Sequence, residues 1–329
     1  MRRRGLLALI LLAPACYTSP SGQPADGSTG DGPTGWAAYA RRRGLTIANA
    51  AAVALPAGFI LGFAVDDLDG SPQIAWRMTD GSYRSLPRAV DDLIGTDDRV
   101  WFRLAAPIPA YEDSTGEYYL YDQPDPGTPP TPDEPGTVFD FHDDFKSGAL
   151  GADWEAEPMA TFSLSNGDLV LGTPSAGVRS LAAWGPGTAV DFVLEATSSA
   201  RTMPTFWGGF QRNGDFVNDL PWIRWSASMP DMIAPDVNLT PAATCTPGAG
   251  RPLDGFPHLY TIGRHLDRVN FLRDGMLVAT CLLGAEDLSA LQLRLHNASA
   301  GSIRIEMARV RAIVDPYPTV TLGPPEPRP

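Results

Sequence analysis

Residues 268–280 read Arg-Val-Asn-Phe-Leu-Arg-Asp-Gly-Met-Leu-Val-Ala-Thr and contain the clearest local structural signal in the chain. The runs VNFLR and MLVAT lie on either side of the pair Asp274-Gly275. Asp-Gly favours the two-residue type I′ turn, because both turn positions take positive φ. We therefore predict an antiparallel β-hairpin at this place.

Short apolar runs bounded by Gly, Pro, Asn and Asp recur on both sides of this hairpin. Between 138 and 322 they predict strands at 161–164, 168–171, 190–196, 222–225 and 291–295, and between 36 and 121 they predict a further small set. Strands do not alternate with helices, so a TIM barrel or a Rossmann fold is not expected. The sequence predicts an all-β chain with a small antiparallel β-sandwich at 36–121 and a larger two-sheet sandwich at 138–322.

Three segments lack the apolar residues that a core needs. Residues 16–35 read as a flexible tether, and 122–137 (DQPDPGTPPTPDEPGT) read as a stiff linker in polyproline II conformation. The tail 323–329 (GPPEPRP) is expected to fray.

The N-terminus has the order of a secretory signal peptide at 1–15: three arginines, an apolar run, then small residues before Cys16. Residues 12–16 (LAPAC) resemble a bacterial lipoprotein signal, which implies a lipid on Cys16. Tyr17 rather than Asp follows, and in lipoproteins of this kind that favours the outer membrane or cell surface. The alternative is an ordinary signal peptide that leaves Cys16 as a free thiol.

Cys245 and Cys281 are the other two cysteines of the chain. In an exported protein two such cysteines predict a disulfide, and two unpaired buried thiols are the alternative. The net charge of −13 makes nucleic acid and anionic lipid headgroups poor partners.

The motifs YARRRGLTIAN, DDRVWFRLAAPIPA and GEYYLYD at 39–49, 97–110 and 116–122 resemble an extracytoplasmic bacterial domain family of unknown function. The motifs FDFHDDFKSGALGADWE, FSLSNGDLVL and HLYTIGRHLDRVNFLRDGMLVAT resemble concanavalin-A-like, or laminin-G-like, jelly-roll domains, as does 303–323. The second resemblance implies a jelly-roll fold of the kind found in lectins and glycoside hydrolases.

Glycoside hydrolases of this fold carry their carboxylates on one strand as Glu-x-Asp-x-Glu, and no such run occurs here. Residues 204–225 (PTFWGGFQRNGDFVNDLPWIRW) stand in its place without a glutamate. Glu155, Glu157 and Glu195 have ordinary surface-strand or loop explanations. We therefore expect a chain that is not an enzyme.

The same stretch supplies candidate ligand-binding residues, since sugars stack on aromatic rings and bond to Asn and Asp side chains. The candidates are Phe206, Trp207, Asn213, Asp215, Asn218, Asp219, Trp222 and Trp225. The alternative is that Trp222 or Trp225 packs in the core.

Structural calcium is a further hypothesis, with Asp143 and Asp144 as ligands by analogy to the fold and 66–70 (DDLDG) as a second acidic run. Asp-Gly turns explain such runs equally well. The four histidines form no metal-binding signature.

These features together predict a lipid-anchored surface protein whose second sandwich binds extracellular or envelope glycans without catalysis. The alternatives are a structural or adhesive lipoprotein that contacts envelope or extracellular proteins, and a glycoside hydrolase.

Overall fold

Antiparallel strands form almost all regular structure in the computed structural model. It describes residues 38–68, 70–91, 98–128, 130–157, 160–172, 176–196, 206–212, 221–229, 232–239, 241–246, 250–284, 289–298 and 302–326. Cys16 and the rest of 1–37 lie outside these residues. In the described part of the chain, no helix has the length and apolarity to cross a membrane.

The strands of the first sandwich are β1 (Tyr39–Ala48), β2 (Ile60–Val65), β3 (Gln73–Arg77), β4 (Tyr83–Leu86), β5 (Arg88–Asp91), β6 (Asp98–Arg103) and β7 (Asp113–Pro124), and the helix α1 (Pro135–Val138) follows them. One sheet has the order β24-β1-β7-β3-β4, in which β24 is Thr319–Glu326, and the other has the order β2-β6-β5. Leu45, Ile47, Leu61, Phe102 and Leu120 are buried in the core between them.

The remaining strands are β8 (Phe141–Asp143), β9 (Trp154–Ala156), β10 (Phe162–Ser165), β11 (Asp168–Leu171), β12 (Ala176–Trp184), β13 (Thr188–Ala196), β14 (Phe206–Gln211), β15 (Trp222–Met229), β16 (Met232–Asn238), β17 (Thr244–Cys245), β18 (Arg251–Pro252), β19 (His258–Arg264), β20 (Arg268–Arg273), β21 (Met276–Leu282), β22 (Leu291–Asn297), β23 (Ile303–Ala312) and β24 (Thr319–Glu326). A seven-stranded sheet has the order β18-β16-β15-β14-β22-β12-β9. A nine-stranded sheet has the order β10-β11-β23-β13-β19-β20-β21-β17, with β8 also on β23.

These two sheets form the second sandwich, and one large apolar core joins them. Phe206, Phe210 and Trp225 enter this core from the seven-stranded sheet, and Phe192 and Tyr260 enter it from the nine-stranded sheet. The prediction of an all-β fold with a jelly-roll sandwich is confirmed.

The predicted hairpin is also confirmed. Strands β20 and β21 pair antiparallel and meet at Asp274 and Gly275, whose φ angles are 51° and 76°. Both angles are positive, as a type I′ turn requires.

The predicted disulfide joins Cys245 to Cys281. The two residues are register partners on β17 and β21. The bond closes a loop with a sequence separation of 36, which the chain-entropy model makes worth about 4 kcal/mol.

The expectation that 323–329 frays is wrong for 323–326, because β24 continues through Glu326. β24 pairs with β1 and lies at the edge of its sheet, where a proline is tolerated because one side of the strand has no ladder to complete. Arg42 also donates to Glu326 through Nε (3.0 Å). The C-terminal strand of the chain therefore belongs to the sheet of the first sandwich.

The described residues of 122–137 also differ from a free spacer. β7 extends to Pro124, and the Thr131 carbonyl accepts hydrogen bonds from Ser71 Oγ and Arg88 Nη2 (both 2.7 Å). Val138, at the end of α1, is fully buried. The segment lies along the first sandwich, and the division into domains at its ends stays a prediction.

Candidate functional site

The outer face of the seven-stranded sheet, the side turned away from the core, carries a regular set of polar and aromatic side chains. β22 shows the reason, since Leu291, Leu293 and Leu295 enter the core while the residues between them are polar. Alternate residues of a strand point to opposite faces of its sheet. The residues between these leucines therefore lie on the outer face.

The registers between β22, β14, β15 and β16 place the residues of this face in three rows. The first row is His296, Trp207, Ser226 and Ala234; the second is Arg294, Gly209, Arg224 and Asp236; the third is Gln292, Gln211, Trp222 and Asn238. Strands in a sheet lie about 4.8 Å apart, so each row spans about 14 Å. The row residues of β22 are buried, so the partly exposed part of this face lies on β14, β15 and β16.

A buried ion pair occupies one side of this face. Arg294 donates through Nη2 to Glu157 Oε1 (2.7 Å) and through Nη1 to Gln211 Oε1 (2.7 Å). His296 Nδ1 lies 2.8 Å from Glu157 Oε1. Burial lowers the pKa of Arg294, and the charge of Glu157 opposes that shift. Glu157 thus already serves two partners, and this group is held rigidly.

An arginine between two indole rings occupies the other side, and we call Trp207, Arg224 and Trp222 the Trp–Arg–Trp cluster. The Arg224 guanidinium carbon lies 4.8 Å from the ring centroid of Trp207 and 4.2 Å from that of Trp222. Arg224 Nε donates to Asp236 Oδ2 (2.8 Å). Burial lowers the pKa of Arg224, with Asp236 opposing. Both rings remain partly exposed.

Three donors of this cluster lack a hydrogen-bond acceptor within the described part of the chain. They are Arg224 Nη1, Trp207 Nε1 and Trp222 Nε1, and all three atoms are buried. An unpaired buried donor costs about 1–3 kcal/mol, and most buried polar groups are paired. Three such donors in one cluster fit a surface that is completed by a ligand.

The structure brings together only part of the predicted site. Trp207 and Trp222 lie on the outer face, whereas Phe206 and Trp225 are at most 1% exposed. Their rings fill the core at alternate strand positions, so neither is available to a ligand. The other four candidates, Asn213, Asp215, Asn218 and Asp219, lie outside the described residues.

The calcium candidates have other partners. Asp143 accepts hydrogen bonds from Trp154 Nε1 (2.8 Å) and from the backbone of Phe145 (2.7 Å). Asp144 accepts one from the backbone of Lys146 (3.2 Å). Among the described residues, no three His, Cys, Asp or Glu side chains gather as metal ligands would.

Sequence reasoning missed Glu157, Arg224 and Arg294. Glu157 was expected to be an ordinary loop residue, yet it is 6% exposed. The sequence LQLRLHN at 291–297 indicated a polar face on this strand, because polar residues alternate with its leucines. Such alternation indicates one core face and one polar face. The partners of that polar face come from distant strands, which local patterns do not reveal.

A cavity of about 320 Å³ lies on the nine-stranded sheet, where it meets the first sandwich. Its lining includes Asp91, Asp191, Arg309 and Arg311. These groups already pair, with Arg309 and Arg311 each 3.0 Å from Asp191 Oδ2. We therefore place the candidate site on the seven-stranded sheet.

No protein-family model and no curated protein matches the chain. Solved structures similar to it include an endo-beta-1,3-glucanase from Pyrococcus furiosus, with 12% identity, a TM-score of 0.42, and coverage of 54% of this chain and 95% of that one. The carbohydrate recognition domain of Emp47p has 11% identity and a TM-score of 0.42, over 52% of this chain and 94% of that one. A laminarinase from Flavobacterium sp. UMI-01 has 13% identity and a TM-score of 0.40, over 53% and 99%.

These comparisons correct the expectation that the chain is not an enzyme. The similar structures include glucanases, so that expectation does not stand. At these identities and TM-scores they assign no reaction to this chain.

Proposed function

We propose that the outer face of the seven-stranded sheet binds a glycan chain, and that Trp207 and Trp222 supply the stacking surfaces. The observation that carries this proposal is the Trp–Arg–Trp cluster with its three unpaired buried donors. Sugar rings offer apolar faces to aromatic rings and oxygen acceptors to N–H donors. The partly exposed residues of the three rows lie on β14, β15 and β16, so the surface available to a glycan extends across three strands.

We further propose that a lipid on Cys16 holds the protein at the outer membrane or cell surface. The support is the sequence at 12–16, in which small residues precede the cysteine. Lipid chains give about 0.8 kcal/mol of membrane affinity per buried methylene, and two chains anchor stably where one does not. Intact mass and membrane fractionation of wild type and Cys16→Ala test this, and a wild type without added mass contradicts it.

Binding is tested with the chain from residue 17 onward on a glycan array, followed by affinity electrophoresis in each polysaccharide that binds. Trp207→Ala removes one stacking surface and is expected to weaken binding by about tenfold, the equivalent of about 1.4 kcal/mol. The same mixtures are assayed for new reducing ends, so that hydrolysis is detected if it occurs.

The control is Tyr111→Ala, since Tyr111 is 72% exposed and lies on the first sandwich. It is expected to bind as the wild type does. An array without any bound glycan, or equal weakening by both substitutions, contradicts the proposed role of the outer face.

A further inference from the structure

We infer that the Trp–Arg–Trp cluster takes an anionic group of the glycan, a carboxylate or a sulfate, so that the ligand is an acidic polysaccharide. This inference rests on the proposed glycan binding. Each unpaired atom of the cluster, on Trp207, Arg224 and Trp222, is a nitrogen donor. A group that only accepts hydrogen bonds matches such a set, because it brings no donor that needs a partner of its own.

A neutral sugar hydroxyl fits this set less well. Its oxygen accepts from a donor, but its own hydrogen then needs an acceptor. Asp236, which pairs with Arg224 among the described residues, already accepts from its Nε. Hydrogen bonds from a guanidinium to an anionic oxygen are also stronger than neutral ones.

The positions of the arginines support an anion at this place. Arg224 and Arg294 are both register partners of Gly209, one on each side of β14. Arg224 pairs with Asp236, and Arg294 pairs with Glu157. The charge of Arg224 also lowers the pKa of Arg294, so the two guanidinium groups lie close enough to interact. Two positive charges therefore lie near one another in the second row.

The protein as a whole does not attract polyanions. Its net charge is −13, so long-range electrostatics oppose the approach of an acidic polymer. Binding of such a polymer must then come from a local site. This makes a positive result informative, because non-specific attraction does not produce it.

The experiment compares each bound acidic glycan with its neutral counterpart. Polygalacturonate and alginate are tested beside their carboxyl-reduced forms, and chondroitin sulfate beside its desulfated form, all by affinity electrophoresis with the chain from residue 17 onward. We expect at least tenfold weaker binding after the anionic group is removed. The pair that shows the difference tells whether carboxylate or sulfate is recognised.

Arg224→Gln is expected to remove this tenfold preference while weaker binding to the neutral form remains. Arg304→Gln is the control, because Arg304 pairs with Asp168 on the other sheet. Equal thermal unfolding temperatures of the two variants show that both fold.

Binding to neutral glycans alone overturns the inference and leaves the proposed glycan binding intact. Equal binding of an acidic glycan and its neutral form, or an unchanged preference in Arg224→Gln, also overturns it. Binding to no glycan at all removes both proposals together.

Discussion

Two arginines of the second sandwich lie between aromatic rings, one on each sheet, and their surroundings differ. Arg309, on the nine-stranded sheet, has its guanidinium carbon 4.6 Å from the ring centroids of both Trp101 and Phe139. It is completely buried and reaches carboxylates of both Asp91 (2.8 Å) and Asp191 (3.0 Å). Arg224, on the seven-stranded sheet, has two rings at similar distances but pairs with one carboxylate, Asp236, in the described part of the chain.

The comparison separates a structural use of this arrangement from a binding use. Around Arg309 the chain itself supplies the anions, and Asp91 comes from the first sandwich. Trp101 Nε1 is also satisfied, since it donates to Asp91 Oδ2 (2.7 Å). Around Arg224 both indole nitrogens lack an acceptor in the described part of the chain. The first cluster joins two parts of one chain, whereas the second leaves both of its indole donors without an acceptor among the described residues.

The largest effect is expected from Arg309→Met, which keeps an apolar side chain beside the rings but removes the cation that Asp91 and the buried Asp191 share, so that Asp191 keeps only Arg311. Burial opposes ionisation of Asp191, yet Arg311 and Arg309 hold its pKa well below the usual range. Removing one partner of a buried ion pair costs about 3–5 kcal/mol. Urea unfolding at pH 7 should show a loss of about 3 kcal/mol or more.

Arg304→Met is the matched control, because Arg304 lies on the same strand β23 and its side chain is 35% exposed. Its ion pair with Asp168 is partly buried, so its loss should cost less than the loss of the fully buried Arg309. If the two substitutions cost the same, Asp91 and Asp191 do not depend on Arg309, and the structural role assigned to Arg309 is wrong.

The second largest effect is on the pH dependence of stability, and it arises at His142, near Arg309. His142 stacks on Phe139 at 5.7 Å, and burial, with the charge of Arg309, lowers its pKa to about 4. In the unfolded chain the imidazole has a pKa of about 6.5. Between these values the unfolded state binds a proton that the folded state does not, so stability falls as the pH falls from about 6.5 to about 4.

This histidine should contribute about 2–3 kcal/mol to that loss, and His142→Gln should remove its share. Urea unfolding of both chains at pH 7.5 and pH 4.5 gives the difference. Above pH 7 the pH dependence of the two chains should be alike. Parallel losses down to pH 4.5 would show that His142 takes up its proton in the folded state as well.

The strands and the hairpin could be predicted from the sequence, because hydrophobic alternation and Asp-Gly turns are local signals. Strand β24 could not be predicted in the same way. Its prolines indicated an irregular tail, but an edge strand tolerates proline. Aromatic composition indicated Trp207 and Trp222 but did not separate them from Phe206 and Trp225. Which of these rings face the core depends on which residues of each strand point inward. A run rich in apolar and aromatic residues does not indicate this, because its two faces look alike in sequence. The pairing of Arg224 with Asp236 depends on register across β15 and β16, so only the fold supplies it.

The smallest effect is expected from the same substitution on the other sheet, Arg224→Met. It loses two cation–π contacts of about 0.5–1 kcal/mol each and an ion pair to Asp236, whose side chain is 35% exposed. It also deletes the unpaired Nη1, whose burial costs about 1–3 kcal/mol. These contributions offset one another, so stability in urea should change by less than about 1 kcal/mol.

Arg224→Met and Arg309→Met each delete one unpaired nitrogen, because Arg309 Nη2 also lacks a partner among the described residues. The difference between the two variants therefore reports mainly how strongly each arginine is tied to its carboxylates, Asp91 and Asp191 in one case and Asp236 in the other. A loss at Arg224 as large as that at Arg309 would mean that the Trp–Arg–Trp cluster stabilises the sheet by itself. Its unpaired donors would then be a cost of folding, and they would no longer indicate that a ligand accepts hydrogen bonds from them.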